Sequence, residues 1–128
     1  MEEVNTGDLT FTLDLSKPLW GQVLHQIRGA VARSDLQPGD KIPSLRDLAQ
    51  QLKINPNTVM RAYQELERDG LTETRRGQGT FITSSQQKIS DVKKLLAGEA
   101  AKEFMLAMKT LGVSKKDACT LLEEAKWS

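Results

Sequence analysis

The chain has 128 residues, a net charge of +1, one cysteine and one histidine. A single cysteine excludes an internal disulfide, and one cysteine with one histidine provides too few ligands for a structural zinc site. The acidic start and the absence of a long apolar run argue against a signal peptide or a membrane-spanning helix. We therefore expect a cytoplasmic protein without a metal or another cofactor.

Charge is distributed unevenly along the chain. Residues 1–15 carry four acidic groups and no basic group, whereas residues 16–85 carry ten Lys and Arg against seven Asp and Glu. A positively charged body permits a polyanionic partner without requiring one. We predict an N-terminal acidic arm over 1–15, a folded domain over 16–84 and a helical segment over 85–128.

Three helices are predicted at the start of the folded domain. The first has Ser16 as its cap, the second Ser44, and the third Asn55, followed by Pro56 in the first turn. Gly70 ends the third helix. The link between the second and third helices is so short that they must cross steeply, as in a helix-turn-helix. The predicted buried stripe of the first helix comprises Trp20, Val23, Leu24, Ile27 and Val31.

A hairpin with glycines at its tip follows the third helix. Strand-like residues 71–75 and 80–83 flank Arg76-Gly77-Gln78-Gly79, whose glycines permit positive φ. Residues 41–42 are too short for more than a strand stub. The element order predicts a mostly α fold with a small β-hairpin, a winged helix-turn-helix.

The outward face of the third helix carries the functional hypothesis. If its apolar residues are buried, Asn57, Thr58 and Arg61 project outward near the helix N-terminus, which attracts phosphate. Asn pairs with adenine and Arg with guanine in the DNA major groove. The predicted DNA-binding residues, which include cap, second-helix and hairpin-tip residues, are Ser44, Arg46, Asn55, Asn57, Thr58, Arg61, Arg76, Gly77 and Gln78.

Each of these residues also has a structural explanation, as a helix cap, a tight turn or a solvated arginine. Their combination on three elements favours DNA binding, with Arg46 reaching a phosphate or a base edge and the basic hairpin tip entering the minor groove. No nucleophile, metalloprotease or phosphate-loop motif occurs, so we do not expect an enzyme.

Residues 86–128 predict a long amphipathic helix and a shorter one that begins after Ser114. The apolar stripe of the long helix exceeds what one short helix can cover, which favours a homodimer. The alternative is that this segment folds back onto the first helix. The predicted dimer-interface residues are Phe104, Met108, Leu111, Leu121, Leu122 and Trp127.

The stretch LQPGDKIPSLRDLAQQLKINPNTVMRAYQELERDGLTETRRGQGTFI resembles the N-terminal DNA-binding domain of the GntR family of bacterial transcription regulators. The resemblance runs from about Leu19 to Ile82. It implies that the positions of Ser44, Arg46, Asn57, Thr58, Arg61 and Arg76-Gly77 approach DNA. Met60 departs from branches that carry a basic residue there, so a DNA contact at that position is not implied.

Only 43 residues follow Ser85, too few for a large effector domain, which resembles the short YtrA-like branch. The resemblance implies a dimerising segment and a repressor. Two-fold pairing would place two recognition helices about one DNA turn, or a multiple, apart, which predicts a palindromic operator in double-stranded DNA. We expect no membrane partner. Two alternatives remain: C-terminal helices that bind a small effector, and a winged-helix protein-interaction module that does not bind DNA.

Overall fold

The computed structural model describes residues 2–6 and 9–128 and shows the mostly helical fold with a small β-hairpin that the sequence predicts, together with a second small sheet at the N-terminus. The elements are β1 (Glu2–Thr6), β2 (Leu9–Leu13), α1 (Leu19–Ala32), β3 (Lys41–Ile42), α2 (Leu45–Leu52), α3 (Pro56–Arg68), β4 (Thr72–Arg75), β5 (Gly79–Ile82), α4 (Gln86–Thr110) and α5 (Lys115–Glu124). None of the helices in the described ranges is long and apolar enough to cross a bilayer.

The chain forms two compact units, one ending at Lys93 and one comprising Lys94–Ser128. Helix α4 begins in the first unit and ends in the second. The predicted boundary between 84 and 85 remains a prediction about domain organisation. In the first unit, helix α1 packs against α3, and α2 packs against α3.

An N-terminal hairpin occupies most of the stretch for which we predicted only an acidic arm. Strand β1 pairs with β2 antiparallel, with Glu3 opposite Thr12. Alternate residues of β2, namely Leu9, Phe11 and Leu13, are buried in the core, whereas Thr10 is exposed. Their period of two matches a half-buried strand. Part of the predicted arm (residues 1, 7 and 8) lies outside the described residues.

Two glutamines of α1 hold this hairpin against the helix. Gln26 Oε1 accepts a hydrogen bond from the N–H of Thr12 (2.8 Å), and Gln26 Nε2 donates to the Thr12 carbonyl (2.6 Å). Gln22, one turn earlier, makes the same pair of bonds to the Asp14 N–H (2.7 Å) and carbonyl (3.0 Å). The side chains of a helix therefore satisfy backbone groups that a neighbouring strand would otherwise satisfy.

The prediction that Ser16 caps α1 is wrong. The helix begins at Leu19 after Pro18 without a side-chain cap, and Ser16 Oγ instead donates to Asp14 Oδ1 (2.6 Å). Pro18 occupies the cap position, two residues after Ser16, so the Ser16 hydroxyl is free to donate to the carboxylate. This hydrogen bond from Ser16 holds the pKa of Asp14 below its usual value.

The helix-turn-helix forms as the sequence predicts. Ser44 Oγ accepts from the Asp47 N–H (3.1 Å), and Asn55 Oδ1 accepts from the Asn57 N–H (2.8 Å). Lys53 makes the turn between the two helices in the left-handed region (φ 56°). Tyr63 of α3 donates its hydroxyl to the Pro43 carbonyl (2.6 Å), which fixes the start of α2 to the middle of α3.

The second sheet has the strand order β3-β5-β4, and its β4–β5 hairpin forms the wing. Arg75 pairs with Gly79 at the end of the hairpin, and Lys41 of the two-residue β3 pairs with Phe81 of β5. This confirms both the predicted hairpin and the predicted strand stub.

One ion pair fastens the far end of α3 to α1. Arg28 donates through Nε and Nη2 to the Asp69 carboxylate, and its Nε lies 2.9 Å from Oδ2. Both side chains are about four-fifths covered. Since Asp69 is the C-terminal cap residue of α3, the pair sets the position of that end.

The second unit contains the end of α4 and all of α5. Gly112 adopts positive φ (73°) after α4, and Ser114 caps α5 by accepting from the Asp117 N–H (3.1 Å), as predicted. Ala118 is buried, whereas Leu111 (73%), Leu121 (51%), Leu122 (57%) and Trp127 (99%) are exposed.

We expect Gln26→Ala to lower the free energy of unfolding by about 1–3 kcal/mol, because the Thr12 N–H and carbonyl lose their partners. Urea denaturation measures the change. His25→Ala, on the exposed side of the same helix, serves as the control and should change stability by less than about 0.5 kcal/mol. Equal effects of the two substitutions would contradict the role of Gln26.

Burial raises the pKa of Tyr63 above its usual value of about 10, and Asp47 raises it further. Because the pKa of Tyr63 is higher in the folded state than in the unfolded state, ionisation of the tyrosine favours unfolding. The free energy of unfolding should therefore be unaffected below pH about 10 and fall as the pH rises beyond it. Tyr63→Phe should remove this loss and cost about 0.5–1.5 kcal/mol at neutral pH, where Pro43 loses a hydrogen bond.

Because Tyr63 is the only tyrosine, the ultraviolet absorbance of tyrosinate reports on it alone. Ionisation near pH 10 while the protein remains folded would contradict the raised pKa. Urea denaturation of the wild type and Tyr63→Phe across the same pH range separates this group from the lysines.

Candidate nucleic-acid interface

Helix α3 buries one face and exposes the opposite one. The side chains of Val59, Ala62, Tyr63 and Leu66 are buried. The exposed residues include Asn57, Met60, Arg61 and Gln64. Thr58, predicted to project outward, is half-buried at the flank of this face.

The caps already use part of the predicted polar surface. The Oδ1 atom of Asn55 and the Oγ atom of Ser44 accept backbone N–H groups of their own helices. These caps do not use the Asn55 amide N–H₂ group or the Ser44 hydroxyl proton, so both can donate a hydrogen bond to another partner. While its cap remains formed, Asn55 has only one lone pair of Oδ1 left beside its amide N–H₂ group for a base.

Arg61 lies over an aromatic ring. Its Cζ atom is 3.9 Å from the centroid of the Trp20 ring, and Arg61 is itself exposed. The sequence predicts Trp20 as part of the buried stripe of α1, but it is half-buried, unlike Val23 and Ile27. Trp20 sits in the first turn of α1, at the edge of the exposed α3 face, which explains the difference.

The two arginines at the wing tip lie in different environments. Arg75 stacks on Phe81 (4.4 Å from Cζ to the ring centroid) and lies 3.6 Å from the Glu73 carboxylate. Arg76 and the following Gly77 are exposed, and Gly77 takes positive φ (77°), which closes the turn.

An open cleft of about 770 Å³ brings the start of α2 together with the wing tip. Of the predicted DNA-binding residues, Ser44, Arg76, Gly77 and Gln78 line it. Lys41, a residue that the sequence did not single out, also lines it. A Cβ at Gly79 would lie only 2.8 Å from Lys41 Cε, so the glycine makes room for this lysine across the wing.

A second groove of about 260 Å³ separates α3 from the wing and is lined by Met60 and Gln64. Gln64 follows Asn57 by seven residues and therefore lies on the same helix face. The same helical spacing marks Gln64 in the sequence, although Gln64 is absent from the predicted DNA-binding residues. A Gln side chain offers the donor and acceptor pair that adenine accepts.

Three exposed arginines lie on α2, on α3 and in the turn of the wing. Across residues 2–6 and 9–128, no ion pair within 4 Å involves Arg46, Arg61 or Arg76. All three side chains are exposed. Exposed guanidinium groups near a helix N-terminus and a wing tip are suited to phosphate and base-edge contacts.

Comparison with known proteins identifies the family. The model of the family described as bacterial regulatory proteins, gntR family, matches residues 19–82. A Bacillus subtilis protein, the uncharacterized HTH-type transcriptional regulator YhcF, is 46% identical over 102 residues, covering 80% of this chain and 84% of its own length. The HTH-type transcriptional repressor YtrA of the same species is 37% identical over 99 residues, covering 77% and 76%.

A solved structure agrees with these sequence matches. A GntR family transcriptional regulator from Listeria monocytogenes superimposes with a TM-score of 0.81 at 32% identity, covering 89% of this chain and all of that one. The match to YtrA is consistent with the short YtrA-like branch. The chain belongs to the GntR family of DNA-binding transcriptional regulators, which are not enzymes.

Proposed function

We propose that this chain is a sequence-specific repressor that binds a palindromic operator as a homodimer in the cytoplasm. The observation that carries the proposal is the exposed N-terminal face of α3, which presents Asn57 and Arg61; within the described ranges Arg61 takes part in no ion pair. Repression is supported by the 37% identity to a protein described as a transcriptional repressor.

Helix α3 enters the major groove in this proposal. The positive end of its dipole faces phosphate, while Asn57 and Arg61 contact base edges and Thr58 contacts a base or phosphate at the flank. Arg46 and Ser44, at the start of α2, hold the register on the DNA backbone. Contacts of this kind position a protein without specifying sequence.

The wing supplies the minor-groove contact. Arg76 is exposed at the tip, and Gly77 and Gln78 form a turn narrow enough to follow it. A narrow A·T-rich minor groove concentrates negative potential and attracts an inserted arginine. Lys41, on the neighbouring strand β3, and Arg75, beside the tip, are suited to the flanking phosphates.

The second unit provides the dimer contact in this proposal. Leu111, Leu121, Leu122 and Trp127 are exposed there, and such apolar surface typically marks an interface. Phe104 and Met108 are half-buried and line a groove beside Leu122. A two-fold pair would place two α3 helices about one DNA turn apart, or a multiple of it, which requires a palindromic site.

Effector sensing is a second candidate function. The groove between α4 and α5 measures about 300 Å³ and is lined mainly by apolar side chains, with Lys109 and Lys115 at its rim. This volume is at the lower end of small-molecule sites. A ligand that changes operator affinity would support it. Membership in a family of DNA-binding regulators leaves no support for an interaction module without DNA binding.

Selection of bound sequences from a random DNA pool tests the proposal, and it should return a two-fold symmetric site. Arg61→Ala should then weaken binding to the selected duplex by about 1–3 kcal/mol, roughly 5- to 150-fold, and weaken binding to random DNA much less. Fluorescence anisotropy at fixed salt measures both affinities.

Arg33→Ala is the matched control, because Arg33 is also an exposed arginine but lies just beyond the C-terminal end of α1. It should leave the ratio of specific to random affinity unchanged. Equal weakening of both duplexes by Arg61→Ala would assign Arg61 to phosphate, and no enriched sequence would contradict the proposed function.

The dimer is tested by placing charges in the apolar surface. Leu121→Glu combined with Leu122→Glu should shift a micromolar sample from dimer to monomer in analytical ultracentrifugation. Each buried leucine contributes about 1.5–3 kcal/mol, and each substitution occurs twice in a two-fold interface. Thr120→Glu, on the side of α5 opposite Ala118, should leave the dimer intact. A monomeric wild type would contradict the dimer.

A further inference from the structure

Trp20 forms an aromatic platform for Arg61. The ring belongs to the first turn of α1, outside the helix-turn-helix, and the guanidinium carbon lies 3.9 Å from the ring centroid. At this distance the guanidinium stacks on the ring face. Nothing in the periodicity of α1 suggests this arrangement, because the same spacing that includes Val23 and Ile27 predicts Trp20 as core.

The stack leaves the hydrogen-bonding edge of the guanidinium unused. Arginine carries five N–H donors in the plane of the group, and stacking uses only the face of that plane. In the described part of the chain, no hydrogen bond or ion pair is formed by the Arg61 side chain. Arg28 differs, because its donors are used on Asp69. Arg75 also stacks on a ring but faces Glu73.

An arginine held in this way has less conformational freedom to lose when it binds. A free arginine side chain has rotamer entropy that ordering at an interface must overcome. Trp20 removes part of that freedom before binding and is the ring type with the strongest cation–π attraction. The N–H donors of Arg61 are thus presented beside Asn57 in a restricted orientation.

We propose that Trp20 is a positioning residue for sequence recognition: its ring holds Arg61 in the orientation that contacts base edges. This inference rests on the proposed function. It extends the specificity determinants of the protein to α1, a helix that supplies no predicted DNA contact. Trp20 acts through Arg61 and need not touch DNA.

A double-mutant cycle of Trp20→Leu and Arg61→Ala tests the inference. The measured quantity is the ratio of affinities for the duplex that the wild type selects from a random pool and for a scrambled duplex of the same length. Trp20→Leu should lower this ratio about 2- to 30-fold, the range of a cation–π contact. In the Arg61→Ala background, the same substitution should have no further effect.

His25→Ala is the matched control, because His25 is an exposed residue of the same helix and belongs to neither the proposed DNA contacts nor the proposed dimer contact. It should leave the ratio unchanged. Circular dichroism and urea denaturation establish the folded fraction of each variant. If Trp20→Leu is unfolded at the assay temperature, Trp20→Phe replaces it in the double-mutant cycle. Trp20→Phe should lower the affinity ratio by a smaller factor, and only when Arg61 is present.

Three results would overturn the inference: an unchanged ratio in the folded Trp20 variants, an equal reduction with and without Arg61, or a rise in the ratio. A rise would mean that the stack withholds Arg61 from DNA. If the wild type itself selects no sequence, the proposed function fails. If it selects an operator and the Trp20 variants recognise it equally well, only the inference about Trp20 fails.

Discussion

Helix α3 is held in the first unit by the burial of Val59, Ala62 and Leu66 and by the hydrogen bond from Tyr63 to the Pro43 carbonyl. With that face fixed against α1 and α2, the positions at the N-terminal end of the opposite face have to point outward. The same hydrogen bond joins the start of α2 to α3. It therefore fixes the position of the Ser44 cap relative to the exposed surface of α3. Every proposed DNA contact outside the wing depends on this packing.

The helix-turn-helix and the wing were predictable because their determinants are local. A serine or asparagine cap, a proline in the first turn and a glycine after the last turn act within a few residues, and the structure shows each where it was expected. The N-terminal hairpin was not predicted, although Leu9, Phe11 and Leu13 alternate as a strand requires. Its stability depends on Gln22 and Gln26, whose partners lie 8 and 14 residues away.

The candidate interface was predictable in composition but not in detail. Helical periodicity alone places Asn57 and Arg61 outside, and it also places Gln64 there. Periodicity does not predict which partner an exposed side chain contacts, because the partner is distant in sequence or is one of several within reach. The Trp20 ring beneath Arg61 and the pairing of Arg75 with Glu73 are contacts of this kind. The Asn55 cap is a local interaction within the sequence. Only the structure, however, shows that the Asn55 side-chain oxygen accepts a hydrogen bond from its own helix.

The two glutamines of α1 have a consequence beyond holding the hairpin. An unpaired strand edge is a template on which another chain can add a strand, and proteins protect such edges to avoid aggregation. Gln22 and Gln26 occupy the outward backbone groups of Thr12 and Asp14, so this side of the sheet is closed to an incoming peptide. A short helix surface thereby protects a two-stranded sheet against self-association while leaving the exposed face of α3 free.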